Sequence, residues 1–265
     1  QNKDEIALRY YKTVVERFPK TSPSREALSF IEIIYNNQGN PQAYFDYVKN
    51  IPGAEVRITA QDSAIYQNAM RVYNAEDYKT ASRELGNYIK RFGNKGFFIL
   101  QANYYKAECD FYTDKEDEAL VHYQYVVGQS RNEFTEKSLI KLSNTYYNRK
   151  KYEQAIVHYQ KLEPIAASKS TYLNSILGQM RSHEFLSNFE QAKAKAIQLL
   201  PIENVPVENL VEANMLLGRV QLQDSNYRSA KFHLDYIIDN SRNEMTAEAL
   251  YHRAFIHLLD KKIES

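Results

Sequence analysis

The sequence is short of the residues that build disulfides, tight turns and membrane spans. It has one cysteine, no tryptophan, eight glycines and seven prolines in 265 residues. Glycine and proline together make up about 6% of the chain, against roughly 12% in an average protein, which disfavours turn-rich β architectures and favours helices. A single cysteine excludes an internal disulfide. No apolar run reaches the roughly 18 residues that would predict a transmembrane helix.

The charges nearly cancel. The chain has 34 Lys and Arg and 33 Asp and Glu, which gives a net charge of +1. Such a balance provides no overall field to attract nucleic acid or an anionic membrane. The mean hydropathy of −0.60 fits an elongated array with a large exposed surface. We therefore expect no nucleic-acid partner and no insertion of this segment into a membrane.

The first residues, QNKDEIALRYY, lack the charged start and the apolar stretch of a signal peptide. The chain also begins with Gln rather than Met. We therefore expect that an upstream segment has been removed.

A regular series of alanines organises the chain. Successive members are 36, 38, 38, 36, 37 and 38 residues apart. Most are followed by an aromatic or aliphatic residue four positions later and by an apolar residue seven positions later. This spacing predicts the second helix of a repeated helical hairpin. The anchor alanines are Ala7, Ala43, Ala81, Ala119, Ala155, Ala192 and Ala230.

Small residues also mark the first helix of each hairpin. They stand twelve positions before four of the anchors, at Ala69, Ala107, Ser143 and Gly218. The fifth repeat reaches Gly178 only at fourteen positions, so we expect its turn, EFLSN, to be two residues longer. A small residue on each helix allows the two helices to approach closely.

Helix starts and stops agree with this division. Asn40 followed by Pro41 reads as an N-cap and a first-turn proline, and Asp114 and Asn226 fall in equivalent turns. The stretch 51–61 departs from the pattern and predicts a longer connection with some extended backbone. Three prolines stand nine positions after an anchor, where a second helix should end: Pro52, Pro164 and Pro201.

With these features the chain resembles the tetratricopeptide repeat (TPR) family. An aromatic residue stands three positions before four anchors, at Tyr78, Tyr152, Phe189 and Tyr227. The clearest copy is LSNTYYNRKKYEQAIVHYQKL, which matches the family motif at Leu142, Tyr146, Tyr152, Ala155 and Tyr159. The tryptophan of the family is absent, and the units are longer than its usual 34 residues.

The resemblance implies an all-α, right-handed α-solenoid of TPR-like helical hairpins, with at least twelve helices and no sheet. We expect a single array over residues 1–265, in which the half-repeats at both ends indicate a segment of a longer array. It comprises a second helix at 1–20, repeats at 23–52, 62–92, 98–129, 136–166, 171–201 and 211–241, and a further first helix at 245–265.

Two stretches also resemble the signature between repeats in TPR proteins of the bacterial cell envelope, such as outer-membrane assembly lipoproteins. These are ERFPKTSPSREAL and NSRNEMTAEALYHRA. The run NIPGAEVRITAQDSAIYQNAMRVYNAEDYKTA, with LQANYYKAECD after it, resembles large bacterial TPR proteins that carry export signals. This resemblance implies a location in the bacterial periplasm or cell envelope.

The sequence gives little sign of catalysis. His122, His158 and His233 each stand three positions after an anchor, but equivalent helices lie about 10 Å apart, too far to share a zinc ion with bonds of about 2.0–2.1 Å. We expect packed or solvated imidazoles on the outer helices. Cys109 lies between Glu108 and Asp110, which favours a half-buried hydrophobe over a nucleophile.

Other motifs are also incomplete. The acidic run 114–118 lacks the glycine and the terminal glutamate of a calcium loop, and GNKGFF lacks a phosphate-binding pattern. No G-x-S-x-G elbow is present. We expect a non-catalytic segment with no metal and no cofactor.

In TPR proteins the first helices of successive repeats line a concave groove. Tyrosine combines a large apolar face with a hydrogen-bonding tip, which suits the binding of an extended peptide or a partner helix. The alternative for any single ring is that it fills the seam between hairpins. Projected onto this chain, the resemblance places ten residues toward the groove: Tyr35, Tyr66, Tyr73, Tyr104, Phe111, Tyr112, Asn144, Tyr147, Gln179 and Arg219.

The groove pattern narrows the class of partner. The chaperone-binding TPR pattern needs paired Lys and Asn to hold a terminal carboxylate, and only Asn144 fits. RNA-binding repeats usually have a basic groove, and a glycan-binding groove would use stacked aromatics, against which the absence of tryptophan counts. We therefore favour a protein or peptide partner, with glycan or RNA binding as the alternative.

Overall fold

The computed structural model describes the backbone of residues 2–51 and 58–263. These residues form fourteen α-helices and no strand, so the prediction of an all-α fold is confirmed. In the stretch 51–61, residues 52–57 lie outside the described part of the chain, and residues 58–61 are helical. The helices are α1 (Asn2–Arg17), α2 (Ser22–Asn37), α3 (Pro41–Val48), α4 (Ile58–Asn74), α5 (Tyr78–Phe92), α6 (Ile99–Tyr112), α7 (Glu116–Val127), α8 (Thr135–Asn148), α9 (Tyr152–Leu162), α10 (Lys169–Phe185), α11 (Phe189–Leu199), α12 (Val207–Gln223), α13 (Tyr227–Asn240) and α14 (Glu244–Ile263).

The chain divides into two compact units, residues 1–134 and 135–265. The first unit contains α1 to α7, and the second contains α8 to α14. Within each unit every helix packs against the next one along the chain. In the second unit, α12 contributes Leu216 to one apolar core and Met215 to another, so it is buried on two sides. This is how a hairpin array is held together, since each helix packs against neighbours on both sides.

The anchor alanines mark the same place in successive second helices. The last five each occupy the fourth residue of α5, α7, α9, α11 or α13, and all five are fully buried. The residues four positions later are buried as well, which gives each second helix an apolar stripe at helical spacing. These residues are Leu85, Tyr123, Tyr159, Ala196 and Leu234.

The turns inside the hairpins share one conformation. Each has three residues between its helices, and its middle residue has a left-handed φ, between 56° and 61° in the five hairpins from α4 to α13. After α2, a glycine, Gly39, takes this place with a φ of 70°. In five of these six turns, the backbone N–H of the residue after the left-handed one donates to a carbonyl five positions back, as in a Schellman cap. The other left-handed residues are Glu76, Asp114, Lys150, Ser187 and Ser225.

This uniform turn corrects one expectation about the fifth repeat. Ser187 is the left-handed residue of its turn and lies five positions before Ala192, the same offset as Lys150 before Ala155. The turn is therefore not two residues longer, and the shift that we introduced there was wrong. Gly178 faces the preceding hairpin instead, where it packs under the ring of Tyr159.

Candidate functional site

In the first unit, four tyrosines meet beside the turn between α4 and α5. Tyr73 on α4 packs edge-on against Tyr105 on α6, with ring centroids 4.9 Å apart, and against Tyr78 on α5 at 5.6 Å. Tyr78 in turn stacks on Tyr112 at the end of α6, at 4.6 Å. We call these four residues the Tyr73 cluster. It forms because α4 and α6 are neighbouring first helices and Tyr78 begins the helix between them.

The Tyr73 cluster is open to solvent. Tyr112 is 56% exposed, and the other three rings are partly buried. Within the described part of the chain, the hydroxyls of Tyr73, Tyr78 and Tyr105 have no hydrogen-bond partner, and no Lys or Arg is stacked on the rings of these three residues. Burial raises the pKa of Tyr73, so its hydroxyl is a proton donor at neutral pH. The cluster therefore presents ring surface and free donors together.

Two other predicted groove tyrosines lie in the seam between hairpins. Tyr66 is 9% exposed and stacks on Phe98 at 4.4 Å, with the ring planes only 4° apart. Tyr104 is 7% exposed and stacks in the same way on Phe134 at 4.4 Å. Both residues stand fifteen positions before an anchor alanine. In this structure they present almost no surface to a ligand.

Tyr35 on α2 stands eight positions before Ala43, as Tyr73 does before Ala81, and a neighbouring cation packs against its ring. The Lys12 ammonium donates a hydrogen bond of 2.7 Å to the Tyr35 hydroxyl and lies 5.2 Å from the centre of its ring. The same ammonium lies 4.8 Å from the ring of Tyr47. Phe111, on α6, is partly buried.

Buried carboxylates hold α6 in place beneath the Tyr73 cluster. Glu108 accepts a hydrogen bond from the hydroxyl of Tyr123 on α7. Asp110 accepts one from Ser82 on α5 at 2.5 Å and one from Lys106 at 2.8 Å. These contacts fix α6 against both flanking helices, which positions Tyr105 and Tyr112.

Cys109 lies between those two carboxylates and is fully buried. Burial raises the pKa of the Cys109 thiol to about 12, and the charge of Asp110 raises it further. The thiol is therefore protonated at neutral pH, whereas a nucleophilic cysteine needs the thiolate. It is more deeply buried than the half-buried residue that we expected.

In the second unit, ion pairs join successive first helices. Arg181 on α10 forms two hydrogen bonds of 2.5 and 2.6 Å to Glu212 on α12. Arg219 on α12 pairs with Glu248 on α14 through two bonds of 2.7 Å and with Glu184 on α10 at 3.2 Å. We call these five residues the charged strip. It contains three carboxylates and two guanidinium groups.

The environment sets the protonation of the charged strip. Burial raises the pKa of Glu184, against the opposing effect of Arg219. The hydrogen bonds from Arg219 lower the pKa of Glu248. At neutral pH the two arginines are largely neutralised by their partners, so the strip offers paired charges rather than a basic surface.

Two predicted groove residues lie on α8, and they differ in exposure and in contacts. Asn144 is exposed, but its side-chain carbonyl already accepts a hydrogen bond of 2.9 Å from the hydroxyl of Tyr159. Tyr147 is partly buried and packs edge-on against Tyr152, with centroids 5.6 Å apart. Tyr152 stacks on Phe185 at 4.7 Å, and Phe185 is 62% exposed.

Gln179 is fully buried, and Arg181, two residues later, takes the position that we assigned to it. Its amide donates to Glu163 at 2.6 Å. Glu163 also accepts hydrogen bonds of 2.7 Å from Lys195 and from Gln198, so it ties the end of α9 to α10 and α11. Without the erroneous shift, the residue equivalent to Arg219 is Arg181, eleven positions before its anchor.

A cleft of about 390 Å³ lies beside the charged strip in the second unit. The first turns of α12 form one wall through Val207, Val211 and Glu212, and Arg181 lies at its edge. The connection from α13 to α14 forms the other wall and includes Arg242. Apolar and charged groups thus line the same space.

Sequence reasoning missed several residues of these surfaces, although the pattern contains them. Tyr78 and Tyr152 stand three positions before their anchors, and Tyr112 and Phe185 stand seven positions before the next ones. In both units the two positions stack on each other across successive hairpins. The sequence could have revealed these residues through this pairing of an aromatic three positions before one anchor with an aromatic seven positions before the next. The residues missed were Tyr78, Tyr105, Tyr152, Arg181, Glu184, Phe185, Glu212 and Glu248.

The aligned histidines are parts of the packing. His122 and His233 each contact the side-chain carbonyl of an asparagine on the first helix of the same hairpin, at 2.7 Å to Asn103 and 2.8 Å to Asn214. His158 stacks on the ring of Tyr146 instead. Among the described residues, no group of His, Cys, Asp or Glu is arranged to hold a metal ion.

The helices of the described part also have no membrane-spanning character, since none is both long enough and apolar enough to cross a bilayer.

Comparison with known proteins supports the fold. The chain is similar to the crystal structure of the C-terminal part of a TPR repeat-containing protein from Cytophaga hutchinsonii, with a TM-score of 0.51 and 12% sequence identity. The match covers 94% of this chain and 95% of the other. No protein-family model and no curated protein matches the chain. At this identity the likeness shows the fold alone, and that fold is a TPR-like helical repeat.

Proposed function

We propose that the chain is a non-catalytic scaffold that binds a peptide or partner protein along its first-helix surface. The observation that carries this proposal is the Tyr73 cluster, in which the exposed ring of Tyr112 lies beside three partly buried tyrosines whose hydroxyls have no hydrogen-bond partner in the described part of the chain. Tyrosine at such a surface supplies a large contact area with little loss of rotamer entropy. A TPR-like fold fits such a role, because hairpin arrays present extended surfaces to their partners.

Of the ten predicted groove residues, we propose that six contact the partner, and each of these six has accessible surface. In the first unit these are Tyr73, Phe111 and Tyr112. In the second unit they are Asn144, Tyr147 and Arg219, where Arg219 acts within the charged strip. Tyr35, Tyr66, Tyr104 and Gln179 support these surfaces from beneath or beside them.

We also propose a location in the bacterial periplasm or cell envelope. This proposal rests on the resemblance of the stretches between repeats to those of envelope TPR proteins. Expression of the full-length protein with a reporter that is active only outside the cytoplasm would test it. A cytoplasmic signal alone would reject it.

The binding proposal is tested by selecting ligands from a random peptide library on the immobilised chain. Selected peptides are then synthesised and titrated calorimetrically against four variants. Two of them, Tyr112→Ala and Tyr147→Ala, remove proposed contact residues. Tyr104→Ala removes a seam residue, and Tyr251→Ala is the matched control, since Tyr251 is 69% exposed on α14 outside both surfaces.

We expect Tyr112→Ala or Tyr147→Ala to weaken binding of a selected peptide by about 2 kcal/mol or more, as aromatic hot spots do. Tyr104→Ala should instead lower the free energy of unfolding by about 3–5 kcal/mol, since it removes a buried ring. Tyr251→Ala should change neither quantity appreciably. If no peptide distinguishes the wild type from Tyr112→Ala and Tyr147→Ala, the chain does not bind peptides on this surface.

A further inference from the structure

The ion pairs of the charged strip define the register of α14. Glu248 on α14 pairs with Arg219 through two hydrogen bonds. Glu212 on α12 makes the same two-bond pair with Arg181. Glu248 stands 36 residues after Glu212, so each residue of α14 corresponds to the residue 36 positions earlier on α12. Burial agrees with this register, since Ala249 and the alanine 36 positions before it are both fully buried.

In the complete hairpins, the second helix covers a defined set of positions on the first helix. In the hairpin of α12 and α13, Asn214 stands sixteen positions before the anchor and contacts His233, three positions after the anchor, at 2.8 Å. Gly218 stands twelve positions before the anchor, and a Cβ there would lie 3.3 Å from the side chain of Leu234. The second helix therefore lies directly over both positions.

Two further positions face the second helix in other hairpins. Eleven positions before the anchor, Glu108 accepts a hydrogen bond from Tyr123, which stands four positions after it. Eight positions before the anchor, Tyr147 packs edge-on against Tyr152, with ring centroids 5.6 Å apart. These four positions make up the face that a first helix turns toward its own second helix.

On α14 the same four positions are apolar and open to solvent. Leu250 is 52% exposed, whereas the residues sixteen positions before the anchor on α4, α6, α8, α10 and α12 are at most 8% exposed. Phe255 is 45% exposed, Leu258 is 64% exposed, and Ala254 is exposed as well. We call Leu250, Ala254, Phe255 and Leu258 the α14 face.

The complete hairpins also indicate which helix fits the α14 face. Opposite Asn214 the second helix has a histidine, but Leu250 offers no acceptor, so an apolar residue fits three positions after the anchor. Phe255 likewise offers no acceptor to a tyrosine hydroxyl, which favours an aliphatic residue four positions after the anchor. The small Ala254 allows close approach of an anchor alanine, and an aromatic residue three positions before that alanine would pack on Leu258.

We propose that the α14 face binds one amphipathic helix of a partner, packed as a second helix packs in the complete hairpins. The partner helix has an aromatic residue, an alanine three positions later, and apolar residues three and four positions after that alanine. Burial of three large apolar side chains of α14 drives the association. The α14 face contains none of the six residues proposed above to contact a partner, so the inference goes beyond the proposed function and does not depend on it.

The test measures the binding of labelled, end-capped peptides to the full chain by fluorescence anisotropy. The first peptide has the sequence of residues 226–241, which includes α13, with His233→Leu, so that it is apolar three and four positions after its alanine. A second peptide keeps His233. A third combines His233→Leu with Ala230→Leu and so replaces the small anchor by a larger apolar residue.

We expect saturable binding of the His233→Leu peptide, tighter by about two- to tenfold than that of the peptide that keeps His233, since the imidazole would lack its acceptor. Adding Ala230→Leu should weaken binding by about tenfold or more, because the larger residue prevents close approach of the two helices.

Variants of the chain test the register. Leu258→Asn should weaken binding of the His233→Leu peptide by about tenfold or more. Leu250→Asn should reverse the preference between the two peptides, because it recreates the contact of Asn214 with His233. Ile197→Asn is the matched control, since Ile197 on α11 has the same 52% exposure as Leu250, and it should leave binding unchanged. Urea unfolding of each variant checks that the fold is retained.

Three results would overturn the inference: no saturable binding of the His233→Leu peptide, equal binding after Ala230→Leu, or a peptide preference that Leu250→Asn does not alter. Sedimentation of the chain alone tests the other occupant, since a dimer that Leu258→Asn dissociates would assign the α14 face to a second copy. The proposed function fails separately, because Tyr112→Ala and Tyr147→Ala should leave binding of the His233→Leu peptide unchanged.

Discussion

Gly178 on α10 lies so close to the ring of Tyr159 on α9 that a Cβ on Gly178 would come within 2.3 Å of two ring carbons. No real Cβ approaches a ring so closely. The glycine is therefore what allows α10 to pack directly against the preceding hairpin.

We expect Gly178→Ala to lower the free energy of unfolding by about 1–3 kcal/mol, because the added methyl group displaces the Tyr159 ring from a packed core. Urea unfolding monitored by circular dichroism measures the effect. Gly218→Ala on α12 is the matched control. Its Cβ would meet the flexible Leu234 side chain at 3.3 Å, and alanine gains roughly 0.5–1 kcal/mol of helix propensity. Equal unfolding midpoints for the two variants would show that the contact with Tyr159 is not tight.

The second prediction concerns His122. Burial lowers its pKa to about 4, and the nearby charge of Lys106 adds to the effect while Asp110 opposes it. The unfolded chain has an ordinary histidine pKa of about 6.5, so it binds the proton more readily than the folded chain between these values. The contribution of neutral His122 to the free energy of unfolding is therefore complete above about pH 6.5, and it is lost as the pH falls toward 4.

The measurement is the urea midpoint of the wild type and of His122→Gln between pH 7.5 and 4.5. Both proteins will lose stability in acid as their carboxylates become protonated, so the difference between them isolates His122. We expect the wild type to lose more stability than the variant. Parallel curves would mean that His122 titrates normally in the folded chain.

The third prediction is that Cys109 is unreactive in the folded chain. Its thiol is buried, with a pKa of about 12, so a disulfide reagent at pH 8 meets neither an accessible nor an ionised sulfur. We expect labelling of the native chain to occur only as fast as the first unit opens, and labelling in concentrated urea to be complete at once. A Ser170→Cys variant, which adds a thiol at an exposed position of α10, provides the fast native reference. Rapid labelling of the wild type without denaturant would contradict the structure.

The period of the fold could be read from the sequence because it depends on local packing. Ala81, Ala155 and Ala230 stand at the same point of their helices, and the small volume of the alanine at that point is what each hairpin requires. The turn was harder to predict. Its left-handed residue is Asp114 in one hairpin and Lys150 in another, so no residue type marks it.

The exposure of individual rings could not be predicted from the repeat position alone. Tyr66 is buried because Phe98, from the connection before α6, stacks on it, and Tyr104 is buried by Phe134 in the same way. Phe98 and Phe134 lie in the connections between repeats, and the spacing of the repeats does not predict the backbone conformation of those connections. Tyr112 has the same chemistry and is 56% exposed, although it stacks on Tyr78.

Glu163 links three helices through hydrogen bonds to a single carboxylate. Its carboxylate is largely buried at the end of α9 and receives hydrogen bonds from Gln179 on α10 and from Lys195 and Gln198 on α11. Detaching either helix would leave a desolvated anion short of its donors, which is costly. The three helices should consequently exchange their amide hydrogens with solvent in one concerted opening, as a single cooperative segment within the second unit.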